Sequence, residues 1–335
     1  SGGNGDSNGD GGSGGNGDDG GSGTVEWIMS GSNEGSPANT WAQGMASEVE
    51  EHAETLRLSP QFVNGWRTAT VQLTEGTFDL SYFLYLYQVQ ALNDLAPYDQ
   101  GGNIGPLDAE IRSVSPTVHQ QNIIFITYAN NDDIETIQDL DGERVATNVR
   151  GSAIIDVARQ VTDELDIQPQ WQPMTWSEMG QALQSKRVVV ATPIVINGSI
   201  VIGPVAKAFT SNAFKGVDIS DEDVGTVADA NPFVSFTTVK GEDLNAENEI
   251  GEIPATILGS STFTTADHDP DLVYEFTKTV MEQQDNFGEY HPALNAFGVG
   301  DGKHGFTGSL PGVKFHEGTI RYFDEAGIDY PQEEY

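Results

Sequence analysis

The chain has 335 residues, no cysteine, and 51 acidic against 15 basic residues, for a formal net charge of −36. The missing cysteine excludes disulfides, thiolate metal sites and cysteine nucleophiles. A field of that sign disfavours nucleic acid and anionic membrane surfaces as partners. Because the acids are spread along the chain, they read as a solvated surface adapted to high salt, where the Debye length falls to about 3 Å at 1 M.

Residues 1–23 contain only Gly, Ser, Asp and Asn. No side chain there can bury apolar surface, so the stretch is expected to be a flexible tether. A chain that starts at Ser1 with such a tether fits a secreted protein whose signal has been removed. A lipid-carrying cysteine just before Ser1 would anchor it on the extracellular face of the cytoplasmic membrane. No run of about 18 apolar residues follows that could cross a membrane as a helix. The 312 residues that remain (335 less 23) exceed the ~250–300 at which single cores stop growing, so two lobes are expected.

Short β-branched runs then alternate with amphipathic stretches. Strands are predicted at 25–29, 56–58, 79–83, 122–127, 144–148, 188–192, 233–239 and 253–258. Helices are predicted at 38–52, 65–75, 133–139, 152–165, 177–184, 200–210 and 270–286. This alternation implies βαβ units and an α/β fold with mostly parallel sheets. Thr175 with Glu178 spells a capping box, Asp269-Pro270 an N-cap before proline, and Asp141-Gly142 a tight turn. "DISDED" at 218–223 reads as a solvated loop. "DHDPD" begins like a calcium loop, but Leu272 and Lys278 stand where glycine and glutamate are needed.

Two of these strands end in a glycine/serine turn that feeds a helix, "VEWIMSGSNEGS" and "RVATNVRGSAIIDVARQ". Each would aim the N–H groups and partial positive charge of a helix N-terminus at the carboxyl end of a sheet. With one turn in each lobe, the two ends would face each other across a binding cleft. Catalytic spellings fail at both. No lysine occurs between 24 and 185 to complete a phosphate loop, and neither turn spells G-x-S-x-G. The six histidines are dispersed without H-E-x-x-H, and no local pattern selects a pair among the acids. The chain therefore reads as a binder rather than an enzyme, needing no cofactor and no metal.

Three blocks carry a family resemblance: "NIIFITYANNDDIETIQDLDGERVATNVRGSAIIDVARQVTDELDI", "WSEMGQALQSKRVVVATPIVINGSIVIGPVAKAF", and "DPDLVYEFTKTVMEQQDNFGEYHPAL" followed by "FHEGTIRYFDEAGI". Their order and spacing resemble the TAXI-type extracytoplasmic solute receptors of TRAP transporters, with the type II periplasmic-binding-protein fold. The resemblance runs from about residue 25 to 327. It implies a two-lobed α/β fold with a ligand cleft between lobes, made of 24–118 plus 252–335 and of 119–251. Hinge crossings would fall near 118–122 and 251–257. It further implies a monomer that captures a small organic anion, such as an amino-acid-like or dicarboxylic acid, and delivers it to the membrane subunits of a TRAP permease. A ligand-sensing subunit of a signalling system and a hydrolase on the same fold are the alternatives.

Carried over position by position, the resemblance places Ser32, Asn33, Gly35 and Ser36 in the first turn, with Glu34, Pro37 and Ala38 departing from the family spelling. Gly65 and Trp66, beside Asn64, take the place of a "T-G-G-S" turn. Leu84, Tyr85 and Leu86 fall where a polar "Q-S-D" is common. Gly151 and Ser152 match the second turn, and Thr192, Pro193 and Asn197 fall in a ligand-facing stretch of the second lobe. The serines and Asn33 would donate to a ligand oxygen or cap their helices. Arg150 and Arg67 would fork a carboxylate or pair with a surface acid. Trp41, Trp66, Tyr85 and Tyr87 would wall the cleft or pack in the core. Thinned polar partners and added aromatics imply a ligand larger or more apolar than glutamate. Asn197-Gly198-Ser199 is also a glycosylation sequon, which would go unused if Asn197 faced the cleft.

Overall fold

The structure is a computed structural model that describes residues 23–31, 37–63 and 65–332. The chain opens with β1 (Val25–Ser30), α1 (Pro37–His52), β2 (Leu56–Gln61), α2 (Trp66–Thr74), β3 (Leu80–Leu84), α3 (Tyr85–Leu92) and β4 (Ile111–Ser113). It continues through β5 (His119–Ile124), β6 (Ile126–Tyr128), β7 (Arg144–Thr147), α4 (Ala153–Glu164), β8 (Gln170–Pro173), α5 (Trp176–Gln184) and β9 (Val190–Ala191). Then come β10 (Ile194–Ile196), β11 (Ile200–Val201), α6 (Gly203–Phe209), β12 (Phe214–Gly216) and α7 (Asp221–Ala230). β13 (Ser235–Lys240), β14 (Glu252–Thr265), α8 (Pro270–Glu282), α9 (Phe287–Tyr290) and α10 (Glu317–Ala326) complete it.

The strands form two sheets. Among the described residues the first runs β11-β10-β5-β14-β3-β1-β2, with β13 and β4 also paired to β14. The second runs β12-β6-β9-β7-β8. Each has a parallel centre, β2-β1-β3 and β8-β7-β9, built by the predicted βαβ units. The strands that carry the chain between sheets run antiparallel to their neighbours, so the sheets are mixed rather than mostly parallel. The chain passes from the first sheet to the second at Phe125, between β5 and β6. The expected crossings at 118–122 and 251–257 fall on two adjacent strands, β5 and β14, in register from His119↔Ser260 to Ile124↔Ala255.

Helices cover the sheets with the apolar stripes their sequences contain. Ile154, Val157, Ala158 and Val161 of α4 are buried at the spacing of one helix face, as are Trp41, Ala42, Met45 and Val49 of α1. The predicted caps form. Thr175 and Glu178 close a capping box on α5, and Asp269 accepts from the Asp271 N–H at 2.9 Å ahead of Pro270. Of the helix predicted at 133–139 only a 3-10 turn, Ile137–Leu140, forms, because the Thr136–Asp139 box closes on itself. The loop expected at 218–223 instead starts α7. Ser220 Oγ accepts from the Asp223 N–H at 3.1 Å, and three acids in the first turn complement the helix dipole.

β14 is the largest difference. Sequence predicts a strand ending at 258, but it runs to Thr265 through "GSSTFTT" because every hydroxyl there finds a partner or packs within the sheet. Ser260 bonds the Tyr82 hydroxyl at 2.6 Å and the His119 carbonyl at 2.8 Å; Ser261 bonds Ser113 at 2.8 Å and the Ser115 carbonyl at 2.8 Å. Thr262 accepts from Trp41 Nε1 at 3.1 Å, and Thr264 donates to the Asp79 carbonyl at 2.7 Å. Midway along, the Gly259 N–H bonds the Gly308 carbonyl at 3.0 Å. A methyl group on Gly259 would lie 2.6 Å from that same oxygen. Gly259→Ala is therefore expected to cost about 1–3 kcal/mol by overpacking. Urea unfolding at fixed high salt measures it, and an unmoved midpoint would contradict this tight approach.

Two histidines beside β5 are held neutral. Burial, together with nearby His304 and His291, pushes His119 down to about 3. Burial pushes His304 down to about 4, and its Nδ1 accepts from Gln120 Nε2 at 3.0 Å. In the unfolded chain both imidazoles take up protons below about 6.5, the ordinary value. The folded chain resists until the values above, so this stabilisation is complete above pH ~6.5 and is lost as pH falls through the folded pKa values. The melting temperature should fall between pH 7 and pH 5, and fall less in His304→Gln. Equal drops in the two proteins would show that His304 plays no part.

Candidate ligand-binding cleft

A cavity of about 790 Å³ opens between the two lobes. The first sheet contributes the start of α2 (Gly65, Trp66, Arg67), the β3–α3 junction (Leu84, Tyr87), and His119 and Gln121 of β5. The β10–β11 hairpin of the same sheet, through to Pro204, extends this wall, and the second lobe contributes the loop from Asn148 into α4 and Trp176 at the start of α5. The volume lies within the ~300–1,000 Å³ usual for small-molecule sites.

The loop after β7 makes the polar end. Gly151 adopts φ +82°, a left-handed conformation that favours glycine, and this turns the chain into α4. Ser152 then caps the helix, its Oγ accepting from the Ile155 N–H at 3.5 Å. Asn148 and Gln121 are buried, at 8% and 7% exposure, yet their side-chain amides make no hydrogen bond to any described residue. Arg150 is exposed at the mouth and has no ion-pair partner among the described residues. No Asp or Glu is among the described lining residues, although acids outnumber bases 51 to 15 in the chain.

Arg67 behaves differently. From the first turn of α2 it reaches across the cleft to form a hydrogen-bonded ion pair with Asp156 on α4. Its guanidinium lies over the Tyr87 ring, 5.6 Å from the centroid, a cation–π contact. Burial opposes its charge, and Tyr87 and Asp156 more than offset this, raising its pKa. The Tyr87 hydroxyl sits beside Arg67 and the Ala153 N–H, and burial pushes it up to about 12. The two lobes are thus tied at the base of α4. The charge of Arg67 is already neutralised.

The structure brings Gly65, Trp66, Arg150, Gly151 and Ser152 to the cavity wall, together with Arg67 and Tyr87. Ser32, Asn33, Gly35 and Ser36, with Asn64, lie outside the described residues. Trp41 is a correction: it is fully buried, bonded to Thr262, with its ring 4.5 Å from those of Phe287 and Phe297. Tyr85 is another, fully buried beneath β14 and edge-on to Phe263 at 5.8 Å. Pro193 and Thr192 are buried away from the cavity; the Pro193 carbonyl accepts from Ile124 N–H, and Thr192 bonds Thr147 at 2.9 Å. Asn197 turns the β10–β11 hairpin at φ +52°. Its Oδ1 accepts from Gln120 N–H at 2.9 Å, and its Nδ2 donates to the Ala293 carbonyl at 2.6 Å, so the side chain is fastened to backbone rather than aimed at a ligand.

Sequence reasoning missed Gln121, Asn148 and Trp176 as lining residues, because their places at the cavity depend on which strand or loop lies opposite. The hairpin isoleucines did have a signal: Asn197-Gly198 between two apolar runs is the spelling of a tight β-hairpin.

Known proteins share this architecture. A TctC solute binding protein from Polaromonas matches with a TM-score of 0.50 and 11% identity, over 83% of this chain and 90% of that one. The periplasmic aliphatic sulphonate binding protein SsuA from Escherichia coli matches with a TM-score of 0.48 and 12% identity, over 80% of this chain and 77% of that one. MatC from Rhodopseudomonas palustris, with bound malate, matches with a TM-score of 0.47 and 14% identity, over 81% and 89%. The fold is the two-sheet α/β fold of periplasmic binding proteins. The model of the NMT1-like family matches residues 45–327, most of the chain, and the protein belongs to that family.

Proposed function

We propose that this protein is an extracytoplasmic solute receptor of the TAXI type. It captures a small organic anion between its lobes and hands it to a TRAP-type membrane permease, itself catalysing nothing. The observation that carries this reading is an interlobe cavity without acidic residues among its described lining, in a protein of net charge −36. Arg150, the unpartnered amides of Asn148 and Gln121, and the first turn of α4 supply donors there.

The lobes would be 24–118 plus 252–335 and 119–251, moving about the paired strands β5 and β14, with residues 1–23 as the membrane tether. Contacts made only in the closed state would shift the population towards closure, and the permease would read that state. The Arg67–Asp156 pair already joins the lobes and would define the closed register.

The direct test is mass spectrometry of what co-purifies, followed by small-angle scattering with and without that compound in high salt. The radius of gyration should fall on binding, and Asp156→Asn should raise it in the ligand-free protein. An unchanged radius at saturation would remove the clamp mechanism. Affinity should also rise with salt, because screening weakens the long-range repulsion between a −36 protein and an anion. Tighter binding in dilute buffer would contradict an anionic ligand.

A further inference from the structure

Resting on the receptor reading above, we infer that the cleft selects an amphiphilic monoanion: one singly charged head on an apolar body, in preference to dicarboxylates or amino acids. Two arginines line the cavity. Arg67 is bound to Asp156, so that pair contributes no net charge to a ligand. Arg150 is left, without a partner among the described residues. The two lining imidazoles are otherwise engaged: His119 is buried and held neutral down to about pH 3, and the Nδ1 of His291 accepts from the Ala293 N–H at 3.1 Å. The described wall thus offers one uncommitted positive charge. A second carboxylate would be desolvated without a counter-charge, which is costly.

The neutral donors fit the same head. The amides of Asn148 and Gln121 are more than nine-tenths buried, lie at the cavity and make no hydrogen bond to any described residue. Their amide atoms are not sealed off but open onto the cavity, so whatever occupies the cleft meets their hydrogen-bonding positions. Two such amides in a cleft point to a ligand that completes them. Asn148 is two residues from Arg150 on the same loop, so both can serve one anionic group.

The rest of the wall is apolar. Ile194 and Ile196 of β10 and Ile200 and Ile202 on the returning arm face the cavity, with Trp66 and Trp176 on the other elements. β10 pairs antiparallel with β5, placing Ile196 opposite Gln121, and β11 pairs back on β10, placing Ile200 opposite Ile196. The isoleucines therefore form a continuous β-branched surface beginning next to one of the free amides. Such a surface offers no hydrogen bond to an ammonium or a second carboxylate, and it gains from burying a ring or branched chain. A cavity of about 790 Å³ leaves room for that body.

The experiment is calorimetric titration, in high salt, of the ligand-stripped protein with phenylacetate and 4-methylvalerate, and with succinate, L-glutamate and phenylacetamide. The monoanions should bind at least tenfold tighter than succinate, glutamate and the neutral amide. Arg150→Gln should erase the preference for phenylacetate over phenylacetamide. Ile200→Asn, a half-exposed position, should weaken phenylacetate about tenfold while circular dichroism and melting temperature stay native. Tighter binding of succinate or glutamate would overturn the monoanion assignment while leaving the organic-anion receptor intact. Phenylacetamide binding as tightly as phenylacetate would overturn the charge count. If none of the five binds and the radius of gyration responds to no co-purified compound, the receptor reading itself fails.

Discussion

Strand β14 is the constraint on which the rest of the fold depends. Its fourteen residues pair with β13 and β5 at one end and with β3 and β4 at the other, so one continuous backbone belongs to the region where the lobes meet and to the core of the first lobe. Residues 260–265 are fully or almost fully buried and, Phe263 apart, they are serines and threonines. Burying that many hydroxyls is tolerable only because neighbours satisfy them. Tyr82, His119, Ser113, Ser115 and Trp41 are placed to do so. The same requirement explains why Trp41 is a structural residue. Its indole N–H completes Thr262, and its ring fills the space under α9.

Charge is distributed with equal consequence. A net charge of −36 over 335 residues repels itself and any anionic ligand at long range, an effect that salt screens within about 3 Å at 1 M. Short-range chemistry at the cleft is set independently of the total, because acids are absent from its described lining and donors are present. Arg67 and Asp156 show the other use of charge. An ion pair less than one-third exposed on either side joins two lobes whose sheets share no strand there, and Tyr87 backs it from beneath. The cleft thus uses its two arginines differently: Arg67 is paired across the lobes, and Arg150 stands at the cavity without an ion-pair partner among the described residues.

The site was legible in the sequence where local geometry and position coincide. "VRGSAII" announces a strand, a glycine turn and a capped helix, and that unit does line the cavity. Gly65 and Trp66 were legible for the same reason, at a turn that opens α2. Aromatics misled. Trp41 and Tyr85 are as apolar as Trp66 and Tyr87, and nothing in their own neighbourhoods distinguishes a core position from a cleft wall. Only the packing partner does. Asn197 misled for a related reason: its Asn-Gly spelling specified a turn, and the turn's backbone geometry directs the side chain onto Gln120 and Ala293.

The sequence by itself determined the two-lobed α/β character, the caps, the parallel strand–helix units and the electrostatic sign, because periodicity, capping residues and composition are local or summed properties. Tertiary structure alone decided the rest. It decided that a serine-threonine run is a central strand, since its hydroxyls meet partners on other elements up to 221 positions away. It decided that Arg67 meets Asp156, 89 residues later. And it decided that isoleucines from a hairpin, an amide from β5 and an arginine from the α4 loop surround one cavity. Residues that are remote in the chain become one site only when the sheets fix which of them face each other.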